Sequence, residues 1–217
     1  MKPDGSFHSL PKINRACNIK FYNGFIYQWG GRTETRGIYR YDLAAKGWEE
    51  LETGGDTSEP DNLSFYGSII KDDEWIIFAG WDGFKNTNNF WRVKLPQSGS
   101  NIVSWNEMPG TNDEAWLEGV VIDAYAHAHI EPYVYFHAGY TDTHPIGNFL
   151  SRVNLNEEPL KAEIIAPTFD MPTGRYYHSL TAIGNKLYMF GGHDGVIALN
   201  ELWSFDVDEE HWEYIEI

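Results

Sequence analysis

Three histidines are placed where they could do metal chemistry. His127 and His129 alternate, which puts both imidazoles on one face of an extended segment, and two imidazoles on one face could hold zinc. His137, ending a neighbouring strand, or Glu131 could supply a third ligand. Against this, the pair falls in a long insert and has no cysteine partner, since Cys17 is the one cysteine in the chain. The residues therefore read as exposed loop histidines, and no metal is expected. The carboxylate clusters Glu49-Glu50, Asp72-Asp73-Glu74 and Glu209-Glu210 fall at strand ends or turns. Acid–base catalysis needs groups that converge across a pocket, whereas adjacent turn acids are solvated. The chain has no Gly-x-Ser-x-Gly, phosphate loop or Gly-x-Gly-x-x-Gly. Cys17 lies in a predicted first strand and reads as a small buried residue rather than a nucleophile. No catalytic residue and no cofactor are expected.

The elements that would position these residues are strands. The 217 residues are 42% hydrophobic and 16% aromatic, with 21 glycines, a composition that favours strands and tight turns over helices. No apolar run reaches the roughly 18 residues of a membrane helix, and no membrane partner is expected. Met1-Lys-Pro-Asp-Gly has no apolar signal core. A single cysteine forbids intrachain disulfides and fits a reducing, cytoplasmic compartment. The net charge is −16. Residues 1–50 hold 8 basic and 5 acidic side chains, and the remainder 8 and 27. So acidic a body repels phosphate backbones, which argues against a nucleic-acid partner. It serves solubility or suits a basic protein surface.

Four copies of one pattern fill the chain. Their second strands are Phe25-Ile-Tyr-Gln-Trp-Gly-Gly31, Glu74-Trp-Ile-Ile-Phe-Ala-Gly80, Tyr133-Val-Tyr-Phe-His-Ala-Gly139 and Lys186-Leu-Tyr-Met-Phe-Gly-Gly192. The closing glycines are 49, 59 and 53 residues apart. An apolar run precedes each: Ala16 to Phe21, Phe65 to Ile70, Leu117 to Ile122 and Tyr177 to Ile183. Turn signals (Asn23-Gly24, Asp72-Asp73, Gly184-Asn185) join the two strands as hairpins. The third copy carries a longer insert there, Tyr125 to Pro132. Third strands follow at Arg36–Asp42, Asn88–Lys94, Asn148–Asn154 and Asn200–Asp206. Fourth strands carry Trp48, Trp105 and Trp212, and the third copy offers Leu160 to Ile165 instead. A four-stranded sheet must stack against another to bury its faces. The glycine pair leaves room where backbones approach, and the outer tryptophan covers the gap between sheets.

This pattern resembles the kelch repeat. The last copy carries Arg175, His178, Ser179, Gly191-Gly192, Phe205-Asp206 and Trp212. The first matches through Gly30-Gly31, Tyr41-Asp42 and Trp48, the second through Ala79-Gly80 and Trp105. The resemblance implies an all-β, kelch-type β-propeller of four four-stranded blades, near residues 13–55, 62–109, 114–167 and 174–217. Phe7 to Leu10, within residues 1–12, look like a remnant or closing outer strand. Kelch propellers usually have more blades, so the four could close a small ring, belong to a larger one, or leave an open arc that pairs with another copy. An incomplete or self-assembling ring is the favoured reading.

The resemblance also implies a binding face made by the loops after the second and fourth strands. Residues after the glycine pairs are Arg32, Trp81, Tyr140 and His193, followed by Thr33, Asp82, Thr141 and Asp194. Arg36 and Lys85 lie further along these loops, and Arg15, Trp116 and Arg175 begin first strands. Aromatic, cationic and carboxylate groups together suit recognition of a protein partner. Asp before Gly also caps its own turn, and Arg175 is as well placed to bond within the blade. The expected function is a non-enzymatic protein-binding module. The alternatives are a small-molecule isomerase or lyase of the kelch type, or a structural subunit joined through open blades. The iron-binding Glu-x-x-x-Asp-x-x-x-His pattern of the plant specifier proteins is absent.

Overall fold

The computed structural model describes residues 15–32, 37–54, 59–96, 100–110, 125–139, 146–165 and 170–217, and among them there is no helix. The chain forms two compact units, Met1–Met108 and Pro109–Ile217. In the first, β1 (Asn18–Tyr22), β2 (Phe25–Trp29), β3 (Tyr39–Asp42) and β4 (Gly47–Glu50) make one antiparallel sheet. Between its two sheets, β5 (Glu52–Thr53) pairs in parallel with β9 (Ile102–Val103). The second sheet is β6 (Gly67–Lys71), β7 (Glu74–Phe78), β8 (Phe90–Lys94) and β10 (Trp105–Met108). The second unit holds β11 (Ala126–Ile130), β12 (Tyr133–Gly139), β13 (Gly147–Asn154) and β14 (Ala162–Ile165), then β15 (Ser179–Ile183), β16 (Lys186–Phe190), β17 (Leu202–Asp206) and β18 (His211–Ile215). Each sheet runs in sequence order, so each is one blade, and the all-β expectation of four four-stranded blades is met.

Strand alternation gives every blade two faces. The front face carries the fourth-strand aromatic. In the second blade it is the row Ile70, Trp75, Val93 and Trp105 beside Ile77 and Trp91. The rear face of the first blade carries Phe25, Tyr27 and Trp29. These two faces meet in one core, where Tyr27, Trp29, Trp75, Ile77, Val93 and Trp105 are all buried. The second unit repeats the junction. Ala126, Ala128, Tyr135 and Leu150 from the rear of the third blade pack on Leu180, Leu187, Met189, Phe205 and Trp212 from the front of the fourth. Rear-on-front stacking is thus the way both units bury their blades.

The glycine pair has a backbone cause as well as a spatial one. Its first member has φ of 69°, 55°, 51° and 71° at Gly30, Ala79, Ala138 and Gly191. Alanine accepts that left-handed well at modest cost. The second member lies at 94°, 103°, 113° and 90° at Gly31, Gly80, Gly139 and Gly192, where only glycine is comfortable. A Cβ on Gly192 would also stand 2.8 Å from the Cβ of His178 and 2.9 Å from the Tyr176 carbonyl. This is why the pattern tolerates Ala-Gly and never Gly-Ala.

Two expectations need correction. The first strand of the third blade is Ala126–Ile130, joined to β12 by Glu131-Pro132. The segment read as a long insert is therefore the strand itself, its small alanines facing the rear-side core; Leu117 to Ile122 lie outside the described residues. The outer tryptophans also differ. Trp105 and Trp212 are 1% and 5% exposed. Trp48 is only half-buried, because no sheet of its own unit packs on the front of the first blade. In the third blade Ala162 occupies the Trp register, opposite Val153.

Candidate functional site

The second-to-third-strand loops of the second and fourth blades are built alike. After the closing glycine, Trp81 bridges Ser64 and Asn86, and His193 bridges Tyr176 and Ala198. The next residue caps the turn. Asp82 Oδ1 accepts from the amides of Phe84 and Lys85, both at 2.8 Å. Asp194 Oδ1 accepts from Val196 and Ile197 at 2.8 and 2.7 Å. These two amides hold the exposed Asp194 carboxyl below the usual carboxylate range. Thr87 and Leu199 close the loops by donating to the carbonyls of Gly80 and Gly192, each at 2.8 Å. Asp82 and Asp194 are therefore scaffold residues, as the turn chemistry allowed.

The scaffold holds apolar side chains in water. Phe84 is 92% exposed and Val196 85%, with Ile197 at 57% beside it. The first unit also presents cationic groups. Arg15, Arg32 and Lys85 are exposed. The Arg32 amide donates to the Arg15 carbonyl at 2.8 Å, and its guanidinium lies 5.2 Å over the Phe65 ring. In the second unit Tyr176 and His193 stack at 5.4 Å. His193 Nδ1 accepts from the Gly195 amide at 2.9 Å and lies 3.2 Å from the Tyr176 hydroxyl.

Not every predicted residue belongs here. Arg175 is fully buried. Its guanidinium donates to the Gly191 and Thr173 carbonyls and to Glu201 Oε2, the last at 2.7 Å. Arg175 is a structural strut and not a partner contact, because a desolvated guanidinium needs all its bonds satisfied inside. Trp203 adds a second donor at 3.0 Å, and the two hold the Glu201 carboxyl low. Arg36, Trp116 and Tyr140 lie outside the described residues.

The histidines rearrange into a different constellation. His127 and His129 face the front of the third blade, whereas His137, opposite Ala126, faces its rear. Opposite faces of one sheet cannot share a metal ion. Among the described residues no group of three or more His, Cys, Asp or Glu could hold one. His137 instead meets His178 of the next blade, Nδ1 to Nε2 at 3.0 Å, with rings at 89°. Trp212 closes the triad at 5.3 Å from His137. Burial, the other imidazole and Arg175 push His137 well down; burial, then Arg175, push His178 down to about 3. Both rings are neutral near pH 7. His137 Nε2 and His178 Nδ1 are buried without a hydrogen-bond partner. The sequence offered His178 only as a repeat signature; the pairing spans 41 residues.

Comparison with known proteins agrees with the architecture. Residues 174–216 match the Kelch motif. The chain is 26% identical over 206 residues to the leucine-zipper-like transcriptional regulator 1 homolog of Drosophila melanogaster, covering 90% of this chain and 19% of that protein. The human leucine-zipper-like transcriptional regulator 1 is 24% identical over 192 residues, covering 88% and 22%. Kelch domain-containing protein 3 of Bos taurus is 22% identical over 222 residues, covering 95% and 55%. The chain thus spans a minor part of the first two relatives and just over half of the third. Four blades of one pattern, each closed by the left-handed glycine pair, together with the motif matched over residues 174–216, make this chain similar to kelch-repeat proteins in its blade architecture.

Proposed function

We propose that this chain is a non-enzymatic protein-binding module whose second-to-third-strand loops make the contact. The observation that carries the reading is the capped turn built twice, which holds Phe84 and the Val196-Ile197 pair in solvent. Rigid apolar anchors bind at small entropic cost, and a ring of polar groups around them sets specificity. Lys85 beside Phe84, with exposed Arg15 and Arg32 in the same unit, favours an acidic partner segment around an apolar pocket. Relatives that span most of this chain are named as a regulator and a kelch domain protein, which fits a binding role. The test is affinity capture with the parent, with F84D/V196D and with L43D; Leu43 is 46% exposed in a turn between third and fourth strands. The double variant should lose the specific partners and L43D keep them. Equal recovery by parent and double variant, or loss with L43D alone, would sink this choice of loops.

A further inference from the structure

The fourth blade carries an aromatic ring that its own packing does not use. Ala16, Phe65 and Tyr177 stand two residues before β1, β6 and β15. All three are left-handed, with φ of 58°, 57° and 56°. A bulky residue is strained at such an angle, and Ala16 shows that the position does not require a ring. In the second blade the ring has an internal use: the Arg32 guanidinium of the first blade lies 5.2 Å over Phe65. Tyr177 has no such cation over it among the described residues, and it is 70% exposed. The third blade carries Tyr140 where the first carries Arg32. Tyr177 also ends a row of three rings. Tyr176 lies 5.1 Å from it at 77°, and 5.4 Å from His193 at 34°.

We propose that Tyr177 receives an arginine side chain from a basic protein segment, as Phe65 receives Arg32 inside the first unit. The inference rests on the reading of this chain as a binding module, and it gives the fourth blade a partner segment opposite in sign to that of the first unit. Charge complementarity supports it. The first unit holds 12 basic and 14 acidic side chains, the second 4 and 18. Three of those four cations already face acids: Arg152 meets Glu163 and Glu210, Arg175 meets Glu201, and Lys186 meets Asp206. The second unit therefore has little positive charge to lend the ring and an excess of carboxylate to draw a cation in. Asp194, next to His193, spends one oxygen on its own turn amides and keeps its charge on that loop. A guanidinium is planar and weakly hydrated, so it stacks on an aromatic ring at smaller desolvation cost than an ammonium. Val196 and Ile197, exposed on the His193 loop, suit apolar residues flanking that arginine.

The test is binding of the 217-residue chain to immobilised short random peptides with arginine or its neutral isostere citrulline fixed at the centre. The parent should hold the arginine set about fivefold more strongly than the citrulline set, and added salt should shrink the preference. Y177A should abolish it. Y177F should keep it, because the ring face remains, and F84D should leave it unchanged. Alanine already occupies this backbone position at Ala16, so Y177A should melt within a few degrees of the parent, which separates lost binding from lost folding. No preference for arginine over citrulline overturns the proposal. So does a preference that survives Y177A, one lost in Y177F as well, which would assign it to the hydroxyl, or one lost in F84D, which would place the cation in the first unit. Failure here is distinct from failure of the loop reading, because capture with F84D/V196D scores partners whether or not they carry arginine.

Discussion

The two units solve one packing problem with different chemistry. In the first, Trp29 meets Tyr66 at 5.3 Å and Trp105 at 5.1 Å. In the second, the same registers hold His137, His178 and Trp212, at 4.9 and 5.3 Å. Tyr66 is satisfied: its hydroxyl donates to the Trp29 carbonyl at 2.6 Å and accepts from the Asn18 amide at 2.9 Å. The histidine pair bonds only to itself and leaves two buried nitrogens unpaired. The first junction is therefore a pH-indifferent seal near neutrality and the second an acid-labile one. The arginine clamps differ too. Arg40 pairs with Glu49 at 2.6 Å, and both side chains are under 15% exposed. Arg152 pairs with Glu163, which is 60% exposed.

The largest effect should come from the outer tryptophans. W105A and W212A should each cost on the order of 3–5 kcal/mol in denaturant melts, and W48A about 1 kcal/mol, because Trp48 is only half-buried. Equal losses at all three positions would show that Trp48 contributes as much as its fully buried counterparts. Acid should separate the units next. Above about pH 6.5 the imidazoles are neutral folded or unfolded, so their contribution is fully present. As pH falls toward 3, the unfolded chain takes up protons that the folded pair refuses, and stability drains away. Between pH 7.5 and 4.5 the parent should lose about 2–3 kcal/mol more than H178Y, which places the tyrosine of the first junction in the second. Identical pH profiles would remove the acid-labile distinction.

The clamps give a smaller contrast. R40A removes a largely buried ion pair with Glu49 and should cost about 3 kcal/mol, whereas R152A breaks largely exposed pairs and should cost about 1 kcal/mol. Urea midpoints decide this, and reversed order would show the exposed pair to be the stronger. Smallest is D194A. Hydrogen exchange should quicken at Val196 and Ile197, the amides that lose their acceptor, while the melting temperature stays within a degree or two. Unchanged exchange there would show that the loop is held by its closing bonds alone.

Much of the blade was legible from local signals. Hairpin turns, alternation and the glycine pair each act within a few residues, so their spacing reveals them directly. The third blade was misread at its first strand because alanine and histidine carry little strand signal. Ala126 and Ala128 are small to fit beneath Leu180 and its neighbours, a demand set by another blade. The candidate loops were legible as Trp-Asp-Gly and His-Asp-Gly, but not which of their residues would be presented. Turn geometry turned the aspartates inward on their own amides and left Phe84 and Val196 outside.

The amino-acid sequence by itself determined the repeat, its strand order, the left-handed glycines and the likeness to the kelch repeat, because these follow from backbone conformation and side-chain alternation. Only the tertiary structure decided which face of each blade is covered, that Arg175 is a buried strut, and that His137 meets His178. Those outcomes depend on contacts between residues tens of positions apart, where the stacking of one sheet on another sets burial and burial sets charge.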